Sequence, residues 1–133
     1  MISTRGRYAL RVMIDLTEHE EGARIPLKEI AERQGISKKY LEIIMKDMVT
    51  AGLVKSASGK NGGYSLSRRP EEYTVFEILE TMEGTLSPVA CLADCSYECN
   101  RKESCKTLPM WTDFDKTIRD FFGSRTLADF TLS

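Results

Sequence analysis

Three observations predict a mainly α fold carrying one small β-hairpin. Apolar residues recur at helical spacing through most of the 133-residue chain. Around Gly35 and Ser37 one helix stops and the next starts with almost no linker. Two short alternating runs, Leu53-Val54-Lys55-Ser56 and Tyr64-Ser65-Leu66-Ser67, flank a glycine-rich tip. A composition of 41% hydrophobic and 29% charged residues suits one soluble globular unit and excludes wholesale disorder. No run approaches the roughly 18 apolar residues of a membrane span. Met1 to Arg7 holds no apolar stretch of signal type, so a cytoplasmic location is expected.

Tyr8, Ala9, Val12, Met13 and Leu16 mark one face of a first helix, from about Thr4 to Glu20. Glu21-Gly22-Ala23 breaks it. Pro26 is expected in the first turn of a short second helix, where its missing N–H costs nothing. Leu27, Ile30 and Ala31 face inward there, and Gly35 is the C-terminal stop. Ser37 is the N-cap of a third helix, with Leu41, Ile44, Met45, Met48 and Val49 buried and Gly52 as its end. Two helices about the turn Gln34-Gly35-Ile36-Ser37 form a helix-turn-helix. The hairpin around Ser58-Gly59-Lys60-Asn61-Gly62-Gly63 makes it a winged one.

Thr74-Val75-Phe76-Glu77 has the capping-box pattern and opens a fourth helix through about Met82, closed by Gly84 and Pro88. Residues 91–105, rich in cysteine and small polar residues, read as a loop. From Pro109 a long helix carries Trp111, Phe114, Ile118, Phe121 and Phe122 on one face as far as Gly123. Thr126-Leu127-Ala128-Asp129 caps a final turn. The expected organisation is one compact unit, with a winged head at 1–70 and a sensor and pairing region at 71–133.

The net charge of −1 conceals a split. Residues 1–70 hold 13 Lys/Arg against 8 Asp/Glu, and residues 71–133 hold 6 against 12. A basic head points to a polyanionic partner, here double-stranded DNA. In a helix-turn-helix the first turns of the second helix face base edges in the major groove. Ser37, Lys38, Lys39, Tyr40, Glu42 and Ile43 are therefore candidate DNA contacts, the lysines to phosphate or guanine and Glu42 to cytosine N4. An ordinary solvated face is the alternative for each, and helical spacing from Ile44 would make Tyr40 core. Lys60, Asn61 and Gly62 at the hairpin tip suit a minor-groove or backbone contact, with Arg68 and Arg69 adding charge nearby. A flexible hairpin without a partner is the alternative there.

A head of this kind usually reads two half-sites about a two-fold axis, so a homodimer is expected. Trp111, Phe114, Ile118 and Phe121 would be its pairing face, or else internal core. His19, the single histidine, reads as a solvated surface residue. With no Ser/His/Asp or Cys/His set, no enzyme is expected.

All four cysteines, Cys91, Cys95, Cys99 and Cys105, fall in the order Cys-x3-Cys-x3-Cys-x5-Cys. Zinc sites usually space Cys-x2–4-Cys pairs across a longer insert. Iron–sulphur clusters favour soft thiolates on a loop, and clustered thiols alone make a redox switch. The spacing leaves these chemistries open.

Several stretches together resemble the Rrf2 family of bacterial winged-helix transcription regulators. They are Ser3-Thr4-Arg5-Gly6-Arg7-Tyr8-Ala9-Leu10, Ile30-Ala31-Glu32-Arg33-Gln34-Gly35-Ile36-Ser37 with Tyr40-Leu41-Glu42, and Gly59-Lys60-Asn61-Gly62-Gly63-Tyr64. The cysteine segment followed by Trp111, and Thr126-Leu127-Ala128-Asp129, extend the resemblance over almost the whole chain, nearest to the iron–sulphur cluster regulator (IscR) branch. The resemblance implies a homodimeric repressor-type regulator paired through the long helix after the cysteines. It also implies a cluster held by three cysteines, best matched by Cys91, Cys99 and Cys105. That branch completes a 2Fe–2S cluster with a histidine three residues after the third cysteine. Leu108 stands there in this chain, so Cys95 is the candidate fourth ligand, and four thiolates suit 2Fe–2S, the favoured form, or 4Fe–4S. A nitric-oxide-sensing branch has an acid near the start of the first helix, where this chain has Tyr8. A cysteine-metabolism branch generally lacks the three-cysteine set. Ser58 stands where an arginine often precedes the wing glycines, which shifts weight to Lys60. The expected function is a dimeric regulator whose operator binding is controlled by the cluster. The alternatives are a metal-free thiol redox sensor or a nitric-oxide-sensing cluster regulator.

Overall fold

The computed structural model describes residues 2–93 and 103–131. Helix α1 spans Thr4–Thr17, a turn shorter than expected. Ser3 caps it, its Oγ accepting from the Gly6 N–H at 3.1 Å. Helix α2 spans Leu27–Gln34. Pro26 precedes its first turn as the N-cap, with an extended ψ of 143°. Its carbonyl accepts from Glu29 and Ile30, and Pro still fits because an N-cap needs no N–H of its own in the helix ladder. Gly35 ends α2 at φ 66°, in the left-handed region that a side chain would strain. Ser37 then caps α3, Lys38–Thr50, accepting at Oγ from the Tyr40 N–H at 3.2 Å.

Strands β1, Val54–Ala57, and β2, Gly63–Leu66, pair antiparallel with Val54 opposite Leu66 and Ala57 opposite Gly63. Ile25 adds a bridge on the outer side of β2. Its N–H donates to Tyr64 O at 2.8 Å, and the Tyr64 N–H donates back at 2.9 Å. Gly63 permits this approach, since a Cβ there would lie 2.6 Å from the Ile25 carbonyl. After a 3₁₀ turn at Pro70–Glu72, α4 spans Val75–Glu83. Thr74 caps it through the Glu77 N–H at 3.0 Å. Only this half of the expected capping box forms, because the Glu77 carboxylate accepts from Arg68 instead, at 2.6 and 2.9 Å.

Where a loop was expected from residue 91, a single-turn helix α5, Ala90–Ala93, carries Cys91. Cys95 and Cys99 lie outside the described residues. Helix α6 spans Leu108–Gly123, and a 3₁₀ turn at Leu127–Phe130 follows it. Thr126 starts that turn by donating its N–H to Asp129 Oδ2 at 2.9 Å.

One core joins both sides of residue 70. Ala9, Val12, Met13 and Leu16 of α1 meet Ile30 of α2 and Leu41, Ile44, Met45 and Met48 of α3, with Tyr73, Ile78, Met82 and Leu127 closing the other side. Full burial of such a side chain contributes about 1.5–3 kcal/mol. A second cluster holds Val75, Leu79 and Leu86, with Ile2, Leu10, Phe76, Ile118 and Phe122 packed on it. The apolar stripe expected on α6 therefore divides, at 100° per residue, into two flanks. Ile118 and Phe122 turn inward and Trp111 is half-buried, while Phe114 and Phe121 stay 47% and 51% exposed beside exposed Met110.

Candidate nucleic-acid interface

The candidate surface begins with what holds α3. Its inner face, Leu41, Ile44, Met45 and Met48, is fully buried. That leaves Lys38, Lys39, Glu42 and Ile43 on the opposite face, all exposed, Ile43 by 52%. Tyr40 is exposed as well, so it is not core. Its ring lies edge-on to Tyr8 of α1, with centroids 5.8 Å apart.

Two polar side chains of α1 secure the turn before α3. Arg11 donates to Gln34 Oε1 at 3.2 Å and also to the Gln34 carbonyl, where α2 ends. Asp15, only 1% exposed, accepts from Arg33 Nε and Nη2 at 3.0 and 2.9 Å and from Gln34 Nε2 at 2.8 Å. Burial works against its charge. The hydrogen bonds from Arg33, Gln34 and His19 outweigh that and hold its carboxyl below the usual carboxylate range. His19 is accordingly not a plain solvated residue, since its Nε2 sits 3.2 Å from Asp15 Oδ1. The sequence reading missed this centre. The available signal was an acid between Val12 and Leu16, at the edge of the apolar arc of α1.

At the wing, Lys60 and Asn61 are exposed. Gly62 serves the shape of the tip: its N–H donates to Gly59 O at 3.0 Å, and a Cβ there would meet Ala57 O at 2.4 Å. A groove runs between the hairpin and the starts of α2 and α3, lined by Lys28, Lys38, Ser56, Ser58, Gly59 and Tyr64 among others. Lys28, Lys38, Lys39 and Lys60 make no ion pair among the described residues. Arg68 does not join them. Paired with Glu77 and stacked 4.7 Å over the Tyr73 ring, it is committed within the molecule.

Of the thiols, Cys91 and Cys105 are free and half-buried. The Thr107 hydroxyl, 3.4 Å from Cys105 Sγ, lowers that thiol below its ordinary value. Thiolates are the form that ligates iron, so these two donors fit such a group in kind. Leu108 opens α6 and carries no donor atom. Among the described residues no group of three or more His, Cys, Asp or Glu side chains is placed to hold a metal ion.

The profile of the Rrf2 family, iron-dependent transcriptional regulators, matches residues 2–132. The chain belongs to the Rrf2 family. The HTH-type transcriptional regulator IscR of Xenorhabdus nematophila is 33% identical over 128 residues, which is 96% of this chain and 77% of that one. CymR (YrzC), the global cysteine regulator of B. subtilis, superposes with a TM-score of 0.77 at 34% identity, covering 98% of this chain and 95% of that. IscR of T. potens superposes at 0.73 with 36% identity, covering 98% and 85%. This Rrf2 chain is thus a DNA-binding transcription regulator with a winged helix-turn-helix, in a class that binds rather than transforms its target. The two superpositions do not separate the cysteine regulator from IscR. Among the described residues no helix is long and apolar enough to cross a membrane.

Proposed function

We propose that this Rrf2 protein reads double-stranded operator DNA as a homodimer and that the thiols of residues 91–105 set its grip. The observation carrying this reading is the exposed start of α3 facing the same groove as the wing, with its lysines unpaired among the described residues. Lys38 and Lys39 meet phosphate or guanine, Glu42 accepts from cytosine N4, and Ile43 with Tyr40 offers apolar contact to thymine methyls. Ser37 fixes the start of the helix, and Lys60 with Asn61 meets the backbone or minor groove, on a tip shaped by Gly62. Pairing uses the outward row of α6, Phe114 and Phe121 with Met110, with Trp111 and Ile118 alongside.

Cys91, Cys99 and Cys105, with Cys95 as fourth ligand, would hold an iron–sulphur cluster, 2Fe–2S or 4Fe–4S. A cluster there supplies a one-electron, oxygen-sensitive centre. Likeness to IscR and the lowered Cys105 thiol support this assignment. Cys91 lies on α5 and Cys105 just before α6. Chemistry at these thiols therefore acts on the connection into α6, whose inner flank bears on α4. Likeness to a cysteine regulator supports a second reading, a metal-free thiol sensor.

Fluorescence anisotropy with promoter duplexes tests the reading head. Replacing both Lys38 and Lys39 by Ala removes four lysines from the dimer, so it should weaken binding and flatten the log K against log salt slope by up to about 3.6, at about 0.9 per lost phosphate contact. Iron and sulphide content per chain, with a visible spectrum taken without oxygen, separates the sensors. A brown protein that Cys99→Ala bleaches supports the cluster. A colourless, iron-free chain that forms a disulfide with peroxide supports the second reading.

A further inference from the structure

One buried hydroxyl ties both ends of the wing at its base, beside the Ile25 bridge further along β2. Tyr73, which has no exposed surface, donates its hydroxyl proton to Leu53 O at 2.6 Å, where the chain leaves α3 for β1. The same oxygen accepts from the backbone N–H of Ser67 at 2.8 Å and of Arg68 at 3.0 Å, where the chain leaves β2. One atom thus joins the entrance and the exit of the hairpin. The residue holding that atom is itself fixed from behind. Leu127 N–H donates to Tyr73 O at 3.1 Å, and Val75 N–H donates to Arg125 O at 2.9 Å, binding it to the segment after α6. Arg68 stacks on the ring and pairs with Glu77 of α4.

We propose that Tyr73 is a positioning residue for DNA recognition: its hydroxyl sets the angle at which the wing leaves the head and so where Lys60 and Asn61 meet the duplex. The inference rests on the DNA-reading function proposed above and assigns part of it to a residue that touches no DNA. A two-stranded hairpin is marginal by itself, so its direction is imposed by whatever anchors its base. Removing the hydroxyl leaves Ser67 N–H its longer bond to Leu53 O, 3.4 Å, but takes away the acceptor that Arg68 N–H has. The wing base loosens while the ring still fills the core.

The test is a double-mutant cycle on the full chain, with operator affinity measured at fixed salt. Tyr73→Phe should weaken binding about 5-fold, the scale of one net hydrogen bond. In a background with both Lys60→Ala and Asn61→Ala it should cost little further, because the wing contacts it positions are already gone. In a Lys38→Ala background its full cost should persist. Hydrogen exchange should accelerate at residues 63–68 with the α1 and α3 core unchanged, and Tyr73→Leu should reproduce the affinity loss if that core holds. Undiminished affinity in Tyr73→Phe, or equal losses in both backgrounds, overturns the inference and leaves the reading head standing. If Lys60→Ala with Asn61→Ala has no effect, the wing contact fails and the inference with it. If the unmodified protein binds duplex DNA without salt dependence, the proposed function itself fails.

Discussion

Asp15→Asn tests how the turn before the reading helix is held. The substitution keeps the size of the side chain and removes a charge that is 99% buried, leaving Arg33 without its carboxylate and an NH₂ facing two donors. Breaking a fully buried ion pair by removing one partner costs about 3–5 kcal/mol. The Arg33 side chain is 39% exposed and water takes over part of its solvation, so about 2 kcal/mol is the appropriate figure. At about 2.1 cal/mol/K per residue, the entropy of unfolding for a chain this long is about 0.28 kcal/mol/K. The melting temperature should therefore fall by about 7 °C, and the urea midpoint by about 1 M if m is near 2 kcal/mol/M.

The pH dependence gives a second check. The Asp15 carboxyl is held below its ordinary range in the folded protein. Its stabilisation is present above the unfolded value of about 3.9 and is lost as pH falls through the folded value. The gap between parent and variant should be widest at neutral pH and close in strong acid. Urea melts followed by circular dichroism at several pH values read this directly. Equal midpoints at pH 7, or a gap that stays constant into acid, would refute the reasoning.

Gly63→Ala places a methyl against the Ile25 carbonyl at 2.6 Å, so it should break the Ile25 bridge to β2. About 1–3 kcal/mol should be lost, with faster hydrogen exchange at Tyr64. Phe114→Ala with Phe121→Ala should weaken self-association in sedimentation at a small cost in monomer thermal stability, because both rings are half-exposed and, among the described residues, only Phe121 has ring contacts, with Phe122 and Arg125. Ile118→Ala should do the reverse and lower stability by about 1–2 kcal/mol, since it packs on Val75, Leu79 and Leu86. A drop in melting temperature for the phenylalanine pair as large as that for Ile118→Ala would contradict the two-flank description of α6.

Local signals carried most of the fold. Ser37 followed by Leu41, Ile44, Met45 and Met48 names both the cap and the buried face of α3, because both depend on neighbours within two turns. The Gly59 to Gly63 tip between alternating runs likewise predicts the hairpin. Features settled by distant partners were not readable. Thr74 caps α4 as its pattern requires, but Glu77 turns away from the box because Arg68, nine residues back in sequence, offers a guanidinium. Arg68 and Arg69 look alike in sequence, and it is the positions of Glu77 and the Tyr73 ring that commit Arg68 within the molecule. The ties of Asp15 to Arg33 and of Tyr73 to Leu53 span 18 and 20 residues, beyond any periodicity. On α6 the spacing identified an apolar helix, but the division into flanks depends on α4 and on Leu10 of α1.

That division lets the two sides of one helix answer to different demands. Ile118 and Phe122 are answerable to the fold, whereas Met110 and Phe114 face outward and Phe121, held at one edge by Phe122 and Arg125, presents half its surface to whatever meets it from outside. In the pairing proposed for this row, drift among its residues would retune which copies recognise one another without disturbing the architecture beneath. Chains paired in that way would keep one scaffold while sorting into separate, non-mixing populations.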